Sequence, residues 1–403
     1  MRMRHSHSPL PLAALLGAAL SLLPGCESTK SSGPSPSDPQ AQKPVTVQSG
    51  ESSWRHAHVG DRVTYAFTST QGPAGTERRA GGGTPSTLSG QATLEVVAVQ
   101  QPWVWVRLSF SDEAGKPLPQ ARLAQDLVIP VRTDGTRALE LKPQGESTAE
   151  RASAAGRDWD ALRYVNDARP VDGPLQTRVY AVQPGPLYLT HGLLNASTTL
   201  SGFGGVAGTF QLTLRELHEG SAATTAAPPA LERPLGPGTW YDRRVDVGPS
   251  PSVQRVCFAA ERGFLLRTEG PIDTHAAPCS DFSQAEPEPL EDVLMGLPFS
   301  AQSEGGWPPA AAASGTRGTF TAEGRDVPAL TAQRTETAEG IQRVFSETYA
   351  ADPWAPVLSG LPYEARFQTL TEGTERLASG GKREPEGGTR LVRWGTWLTG
   401  GPK

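Results

Sequence analysis

The sequence predicts a mainly β protein in which antiparallel sheets form a sandwich or a curved half-barrel, with few short helices. Glycine (44) and proline (37) together make up about a fifth of the 403 residues, against a usual share of roughly 12 %, and both residues interrupt helix interiors. Several short segments also alternate apolar and polar residues with period two, as half-buried strands do. We therefore expect many short strands joined by tight turns.

The strands of the N-terminal half are the clearest. Val104, Val106, Leu108 and Phe110 would share one face of a strand, and Asp134-Gly135 matches the preferred two-residue hairpin turn. Short spacing between strands favours antiparallel hairpins, because parallel strands need long crossovers. In this half we expect strands over 62–68, 93–99, 103–110, 127–133, 136–141, 177–182, 187–190, 196–200 and 209–215.

The C-terminal half shows a patchier alternation. Strands are expected over 254–258, 264–268, 318–322, 329–335, 342–347, 364–370 and 389–398, and short helices over 147–155, 290–297 and 341–348. A low-complexity segment over 221–237 predicts a linker between a β-rich domain at 51–220 and a second one at 238–403, with a loop excursion at 281–315. One continuous sheet structure over both blocks is the alternative. No repeat of 20–50 residues is evident, which argues against a propeller or a solenoid.

The N-terminus carries an export signal. Arg2 and Arg4 precede an apolar run over 10–23 that is too short to span a bilayer. The run ends in LPGC at 23–26, which resembles a bacterial lipobox, in which the cysteine is acylated and becomes the mature N-terminus. We expect a lipoprotein signal peptide over 1–25 and a diacylglycerol and palmitate anchor on Cys26. The alternative is an ordinary signal peptide with an incidental cysteine.

Residues 26–50 predict a disordered tether. This segment is rich in Ser, Pro, Gln and Gly and has no aromatic residue, so it buries too little apolar surface to fold. A coil of this length would reach about 27 Å. Such a tether would hold the folded part away from a membrane surface.

The net charge and the cysteine content restrict the class of protein further. The formal net charge is −5, which excludes a typical nucleic-acid binder, since that class needs a basic surface. If Cys26 is acylated, Cys257 and Cys279 are the two thiols left, and in an exported chain they most simply form a disulfide. Free buried thiols and a redox thiol are the alternatives, and the redox thiol lacks a CxxC motif.

Trp103 and Trp105 alternate along their strand with Val104 and Val106, and therefore lie on the face opposite the apolar one. Two tryptophans there either pack beneath a loop or helix, or form a surface that binds a ligand or a partner. We keep both interpretations and treat Trp103 and Trp105 as the candidate binding surface.

Other motifs are weak. His56 and His58 form an HxH pair that supplies at most half of a zinc site. Residues 202–207 match GxGxxA loosely, but a strand rather than a helix follows, so a hairpin turn is favoured over dinucleotide binding. Asp158, Asp160, Asp167 and Asp172 form an acidic cluster without EF-hand spacing. No GxSxG, HExxH or P-loop sequence occurs. We therefore predict no cofactor, no metal and no recognisable catalytic motif.

Two resemblances bear on function. Residues 59–110 and 187–220, in which GD-x-V-x-Y opens a strand, are similar to exported envelope proteins with a large curved antiparallel sheet, of which the lipoprotein-carrier and lipoprotein-receptor half-barrels are the best known. The whole chain also resembles uncharacterised predicted lipoproteins of high-GC bacteria, a family with a domain of unknown function. Neither resemblance implies a catalytic residue.

Together these observations predict a membrane-anchored lipoprotein of the bacterial envelope, expected at the outer membrane. It would act as a non-enzymatic binding or structural module whose ligand is a lipid or a protein partner, with its oligomeric state left open. The alternative is an envelope hydrolase whose site is assembled from distant residues.

Overall fold

The computed structural model describes residues 54–397 apart from 74–85, 102, 118–124, 131–138, 172, 202–205, 230–237, 247–249, 273–278, 280–281, 293, 296–309, 339 and 379–380. The chain is mostly β, with two antiparallel sheets and little helix, as the composition and the alternation predict. Within the described residues, no helix has the length and the apolar character that a membrane-spanning segment needs.

The first sheet contains nine strands in the order β4-β3-β2-β1-β9-β8-β7-β6-β5. They are β1 (Arg62–Pro73), β2 (Ser86–Gln100), β3 (Trp103–Ser111), β4 (Gln125–Pro130), β5 (Glu146–Ala154), β6 (Arg157–Asp167), β7 (Leu175–Ala181), β8 (Leu193–Ser201) and β9 (Val206–His218). Two 3-10 helices interrupt the meander, η1 (Arg169–Val171) and η2 (Gly185–Thr190).

Each strand of this sheet pairs with a neighbour in sequence, and the first strand also pairs with the last. Because all these pairings are antiparallel and the strands number nine, the edge strands β4 and β5 point in the same direction. A hairpin-type antiparallel pairing between them is therefore impossible. In the described part of the chain the sheet stays open between these two edges.

The second sheet repeats this topology. Its order is β13-β12-β11-β10-β18-β17-β16-β15-β14. The strands are β10 (Thr239–Asp246), β11 (Ser252–Glu261), β12 (Phe264–Pro271), β13 (Glu286–Pro289), β14 (Thr316–Ala322), β15 (Arg325–Ala338), β16 (Ile341–Ala350), β17 (Thr371–Leu377) and β18 (Arg383–Thr396). Helix α1 (Ala310–Ala313) precedes β14, and η3 (Pro356–Leu358) and helix α2 (Tyr363–Arg366) lie between β16 and β17.

Equivalent strands of the two sheets also share sequence and register. The β5–β6 and β14–β15 hairpins both read A-x-G-R-D-x-x-A-L, over 154–162 and 322–330. In the first, Ala161 pairs with Ala181 of β7, and in the second, Ala329 pairs with Ala350 of β16. Both hairpins turn through two residues of positive φ, Ala155-Gly156 in the first, as a type I′ turn requires. The second sheet is therefore a structural repeat of the first.

One face of the first sheet packs against the larger hydrophobic core. This core takes Val63, Tyr65 and Phe67 from β1 and the predicted apolar face of β3. It also contains residues of strands β11 and β12 of the second sheet and of the segment that follows β13: Ala259, Ala260, Phe264, Leu266, Leu290, Leu294 and Met295. A smaller core lies within the second sheet, where β14 approaches β18 through a hydrogen bond from Arg390 to the Thr321 carbonyl oxygen (2.8 Å).

Several local predictions were wrong. Residues 147–155 form strand β5 instead of a helix, and residues 187–190 and 364–366 are helical instead of extended. At 341–348, where both a strand and a helix are expected, strand β16 forms. For β5 the reason is its partner strand: β5 pairs residue by residue with β6 over Glu146–Ala154, and this pairing outweighs the helix propensity of Ala, Glu and Arg.

The strands of the first sheet lie within 51–220 and those of the second within 238–403, while independent folding of the two domains stays a prediction. The predicted loop excursion at 281–315 contains strand β13, helix α1 and a helical stretch at 290–292 and 294–295. The predicted turn at Asp134-Gly135 lies outside the described residues.

Candidate functional site at the contact between the two sheets

The connection between β7 and β8 fills one end of the first sheet. It contains η2, whose residues Leu187, Tyr188, Leu189 and Thr190 are all buried. The helix ends at His191 (φ 50°) and Gly192 (φ 88°), and this left-handed pair returns the chain to β8. The Tyr65 hydroxyl holds the connection in place by donating to the Leu193 carbonyl oxygen (2.8 Å), and it also lies 2.7 Å from the Thr190 hydroxyl.

The GD-x-V-x-Y motif anchors the same end of the sheet. Both oxygens of the buried Asp61 carboxylate are engaged: they accept hydrogen bonds from the backbone N–H groups of His58 (2.8 Å) and Gly220 (2.8 Å) and from the Tyr188 hydroxyl (2.6 Å). Asp61 thus ties together the lead-in to β1, the exit from β9 and helix η2. In this protein the motif has a structural role, and its Asp and Tyr are not exposed.

Two elements of the second sheet's part of the chain meet η2. The first is the β11–β12 turn, where a Cβ placed on Gly263 would lie 3.0 Å from Trp54 Nε1 and 3.1 Å from His191 Nε2. Phe264 follows, and its ring centroid is 4.4 Å from that of His191. The second comprises the helical residues 290–292 and 294–295, which we call segment 290–295, and its Leu290 N–H donates to the Gly263 carbonyl oxygen (2.8 Å).

Four ionisable side chains meet at this contact, and we call them the inter-sheet cluster: Arg178, His191, Glu291 and Asp292. His191 Nδ1 lies 2.8 Å from Glu291 Oε2, and both side chains are 0 % exposed. Arg178 and Asp292 form an ion pair and are 16 % and 18 % exposed. In both pairs one partner belongs to the first sheet and the other to segment 290–295.

Burial controls the protonation of the groups around the cluster. Burial raises the pKa of Asp292 to about 6, although the Arg178 guanidinium beside it acts in the opposite direction. Burial also raises the pKa of Tyr65 and of Tyr180, and the Glu291 carboxylate adds to both increases. The two phenols therefore stay neutral, and the charged groups of the cluster come from Arg178, His191, Glu291 and Asp292.

The cluster does not have the arrangement of a hydrolytic site. Thr190 is the hydroxyl residue next to His191 in sequence, but its Oγ1 lies beside the Tyr65 hydroxyl and 3.4 Å from the Leu187 carbonyl oxygen. A serine-type mechanism needs the nucleophile hydrogen-bonded to the imidazole and within reach of substrate. Among the described residues, no group of three or more His, Cys, Asp or Glu side chains is placed to hold a metal ion.

The structural repeat provides an internal comparison. In the second sheet the equivalent connection, between β16 and β17, buries Arg366 instead of a histidine. Its guanidinium donates to three carbonyl oxygens of the same connection, those of Leu361 (2.9 Å), Pro353 (2.9 Å) and Leu358 (2.7 Å). This buried cation is satisfied locally, whereas His191 reaches across to the other half of the chain. The inter-sheet cluster is therefore a feature of the contact and not of the repeated unit.

The family assignment follows from the sequence as a whole. A family model described as a family of unknown function, DUF6068, matches residues 4–402. The chain belongs to this family. Membership of an uncharacterised family is thus confirmed, while the lipoprotein character and the high-GC source of this DUF6068 member stay predictions.

No curated protein matches the DUF6068 chain. A solved protein of unknown function from the DUF3598 family of Nostoc punctiforme is 8 % identical over 82 % of this chain and 95 % of its own, with a TM-score of 0.12. Isotype 1 transferrin binding protein B from serogroup B Neisseria meningitidis is 9 % identical over 79 % of this chain and 64 % of its own, with a TM-score of 0.11. Scores this low carry no argument about the DUF6068 chain.

Trp103 and Trp105 lie on the face of β3 opposite the main core, as the alternation predicts. They form a small cluster with Val97 and Ala98, and Trp105 is 1 % exposed. The Trp105 ring is therefore packed in this conformation, and Trp103 is half-buried. A binding role for Trp103 and Trp105 stays a prediction.

The three cysteines fall into two groups. Cys257 on β11 and Cys279 are joined by a disulfide, with their Cα atoms 5.6 Å apart. The bridge ties the strand that leads to Gly263 to the segment that leads to Glu291. Cys26 lies outside the described residues, so its acylation stays a prediction.

The weak motifs have ordinary surroundings where they are described. Asp158, Asp160 and Asp167 lie along β6 and each accepts a hydrogen bond from a side chain of its own sheet region. Asp172 and residues 202–205 lie outside the described residues. The HxH pair precedes β1, and there the His58 backbone binds Asp61.

Two of the depressions in the surface of the described part of the DUF6068 chain are defined by their lining residues. The larger has a volume of about 580 Å³ and is lined in part by Glu95, His218 and Glu219. The smaller measures about 130 Å³ and lies against β5. Val59, Val96 and Val97 contribute apolar surface to the larger depression beside its charged residues.

Proposed function

We propose that this protein is a lipid-anchored component of the bacterial envelope, expected at the outer membrane, that works as a non-enzymatic binding or structural module. The observation that carries the proposal is the N-terminal sequence: a basic start, an apolar run and LPGC at 23–26, followed by a polar tether. Such a chain places a folded body about 27 Å from the membrane at the end of a flexible coil.

The folded body supports a mechanical role for this attachment. Trp54, the first described residue, is 0 % exposed, and its ring centroid is 5.1 Å from that of Tyr188 on η2. Trp54 also lies next to Gly263 at the contact between the sheets. Trp54 therefore lies where the two sheets meet, and a load that reaches Trp54 would be transmitted to both halves.

The non-enzymatic part of the proposal is supported by the inter-sheet cluster. Its His191–Glu291 pair is 0 % exposed, and Thr190 is held by bonds within η2 and to β1. The pair joins two parts of the chain, which is a structural use of groups that serve as acid and base in enzymes.

Acylation is tested with Cys26→Ser in cells that carry the lipoprotein pathway. Metabolic labelling with a fatty acid and fractionation of the envelope should show that the variant loses both the label and membrane retention. Ser28→Ala, two residues further along, is the matched control and should keep both. If Cys26→Ser still carries label and sediments with membranes, the anchor is not at Cys26 and the proposal fails.

The ligand class is tested by native mass spectrometry of exported, soluble Cys26→Ser protein. A discrete lipid-sized adduct, released by organic extraction, would assign a lipid ligand and direct mutagenesis to Trp103 and Trp105. A bare protein mass would favour a protein partner, which crosslinking in intact cells would then identify. Turnover of an envelope polymer by the purified protein would contradict the non-enzymatic role.

A further inference from the structure

The edge strands β5 and β14 occupy equivalent positions in the two sheets. Each begins a hairpin that carries the shared A-x-G-R-D-x-x-A-L pattern, over 154–162 and 322–330. A hydrogen bond across each hairpin confirms the register, since the Ser153 hydroxyl donates to Asp158 in the first and the Thr321 hydroxyl donates to Asp326 (2.7 Å) in the second. The two edge strands can therefore be compared position by position.

One pair of equivalent positions differs strongly in side-chain size. Two residues before the shared pattern, the second sheet has Phe320 and the first has Ala152. Phe320 is buried in the smaller core, and the Arg390 guanidinium lies 5.1 Å from its ring centroid. Counted from the β-bulge in each strand, Arg390 of β18 corresponds to Thr213 of β9. At these positions the first sheet has neither the ring nor the guanidinium that lies over it.

A depression in the first sheet lies at the position equivalent to Phe320. Its volume is about 130 Å³, and we call it the β5 hollow. Ala152 and Thr213 both line it, and the buried side chains of Val179 and Leu194 add apolar surface. Because an apolar cavity of about 150 Å³ holds a benzene molecule, the β5 hollow has about the size of one phenyl ring.

The β5 hollow also has polar groups in its lining. Arg163 and Glu150 form a two-point ion pair with nitrogen–oxygen distances of 2.7 and 2.9 Å, and the Asn195 amide donates to the Thr213 hydroxyl (3.0 Å). The Arg163 side chain is 44 % exposed. A guanidinium attracts the face of an aromatic ring, so the hollow offers apolar surface for a ring and a cation beside it.

We propose that the β5 hollow binds the phenyl-sized aromatic side chain of a protein partner. Phe320 demonstrates on the same fold that a ring carried by a polypeptide strand fills the equivalent space. Among the described strands, β5 pairs with β6 alone, so its other edge is without a strand partner beside the hollow, where a second polypeptide can lie. The tether at 26–50 has no aromatic residue and cannot supply the ring. This proposal rests on the binding role proposed above and names the chemistry of the partner.

The test is saturation-transfer NMR on the full-length Cys26→Ser protein, with N-acetyl-phenylalaninamide as the probe. The probe carries one phenyl ring on a peptide unit, and for a ligand of its size we expect a dissociation constant on the order of 1 mM. N-acetyl-alaninamide has the same peptide unit without the ring and should receive no saturation.

Ala152→Phe places in the first sheet the ring that the second sheet already has, and it should weaken binding of the probe at least tenfold. Ala149→Phe is the matched control, because Ala149 is exposed on the opposite face of β5, and it should bind the probe as the parent does. Phe320→Ala should open the equivalent space in the second sheet and increase the saturation transferred to the probe. Ala152→Leu fills part of the hollow and serves if Ala152→Phe does not fold.

The proposal is overturned if N-acetyl-phenylalaninamide does not bind the parent, or if filling the hollow at Ala152 leaves its binding unchanged. Saturation of toluene without saturation of the amide would indicate a cavity for a free small molecule and would overturn the assignment to a protein partner. All these results are read on soluble protein without the anchor. They can therefore fail while Cys26 acylation and the absence of envelope-polymer turnover, each measured in its own assay, still hold.

Discussion

Replacing Gly263 with alanine tests the contact between the sheets with a single methyl group. Gly263 has φ 85°, and its added Cβ would lie 3.0 Å from Trp54 Nε1 and 3.1 Å from two atoms of the His191 ring. Both neighbours are 0 % exposed, so neither can retreat into solvent. We expect about 1 kcal/mol from the left-handed backbone and about 1–3 kcal/mol more from overpacking.

Gly324→Ala is the control that separates these two contributions. Gly324 occupies the β14–β15 turn with φ 74°, and a Cβ there would meet no atom within 4 Å. Its substitution should therefore cost about 1 kcal/mol, the backbone contribution alone. Urea unfolding of Cys26→Ser protein carrying each change gives the two free energies. Equal losses for Gly263→Ala and Gly324→Ala would refute the close packing of the β11–β12 turn against η2.

Three further changes probe the rest of the fold. Replacing Cys257 and Cys279 with alanine opens a loop with a sequence separation of 22 and should cost about 3 kcal/mol; an unfolding midpoint that does not respond to the double change or to a reductant would contradict the bridge. Asp242→Asn should cost about 3 kcal/mol in urea unfolding, because the 0 % exposed Asp242 carboxylate balances two arginine side chains, whereas Asp246→Asn at an exposed pair should change stability by less than about 0.5 kcal/mol. Tyr65→Phe removes a buried hydroxyl that donates at 2.8 Å and should cost about 1–2 kcal/mol by thermal unfolding; an unchanged midpoint would show that the hydroxyl does not hold η2 in place.

The fold class was predictable because alternation reports which face of a strand is buried. Val104, Val106 and Leu108 are each 0 % exposed on β3, and the period of two is enough to place them. Strand β10 was not predicted, because the buried ion pair of Asp242 with Arg255 places a charged residue where the alternation of a strand would have an apolar one. On β3 the buried residues are apolar, so the sequence alone shows which face is buried. On β10 a buried charge is balanced by Arg255 of the neighbouring strand β11, which the sequence of β10 does not show.

The candidate site was not predictable from sequence in the same way. His191 and Glu291 lie far apart along the chain and in unrelated local patterns, and each is an ordinary residue until the second half of the chain covers the first. The structural repeat was equally hidden, because its matching hairpins, at 154–162 and 322–330, share a short pattern at a spacing far longer than known repeat periods. The repeated strand order shows that the β7–β8 connection corresponds to the β16–β17 connection. Comparing the two connections shows that the first buries His191 and the second buries Arg366.

Mass spectrometry of the N-terminal tryptic peptide tests the central claim most directly, namely that this two-sheet body is held on a membrane by its N-terminal cysteine. For protein purified from the envelope fraction, the account predicts a peptide that begins at Cys26, ends at Lys30 and carries a diacylglyceryl group with a further fatty acid. A peptide that begins elsewhere, or an unmodified thiol at Cys26, would contradict the account.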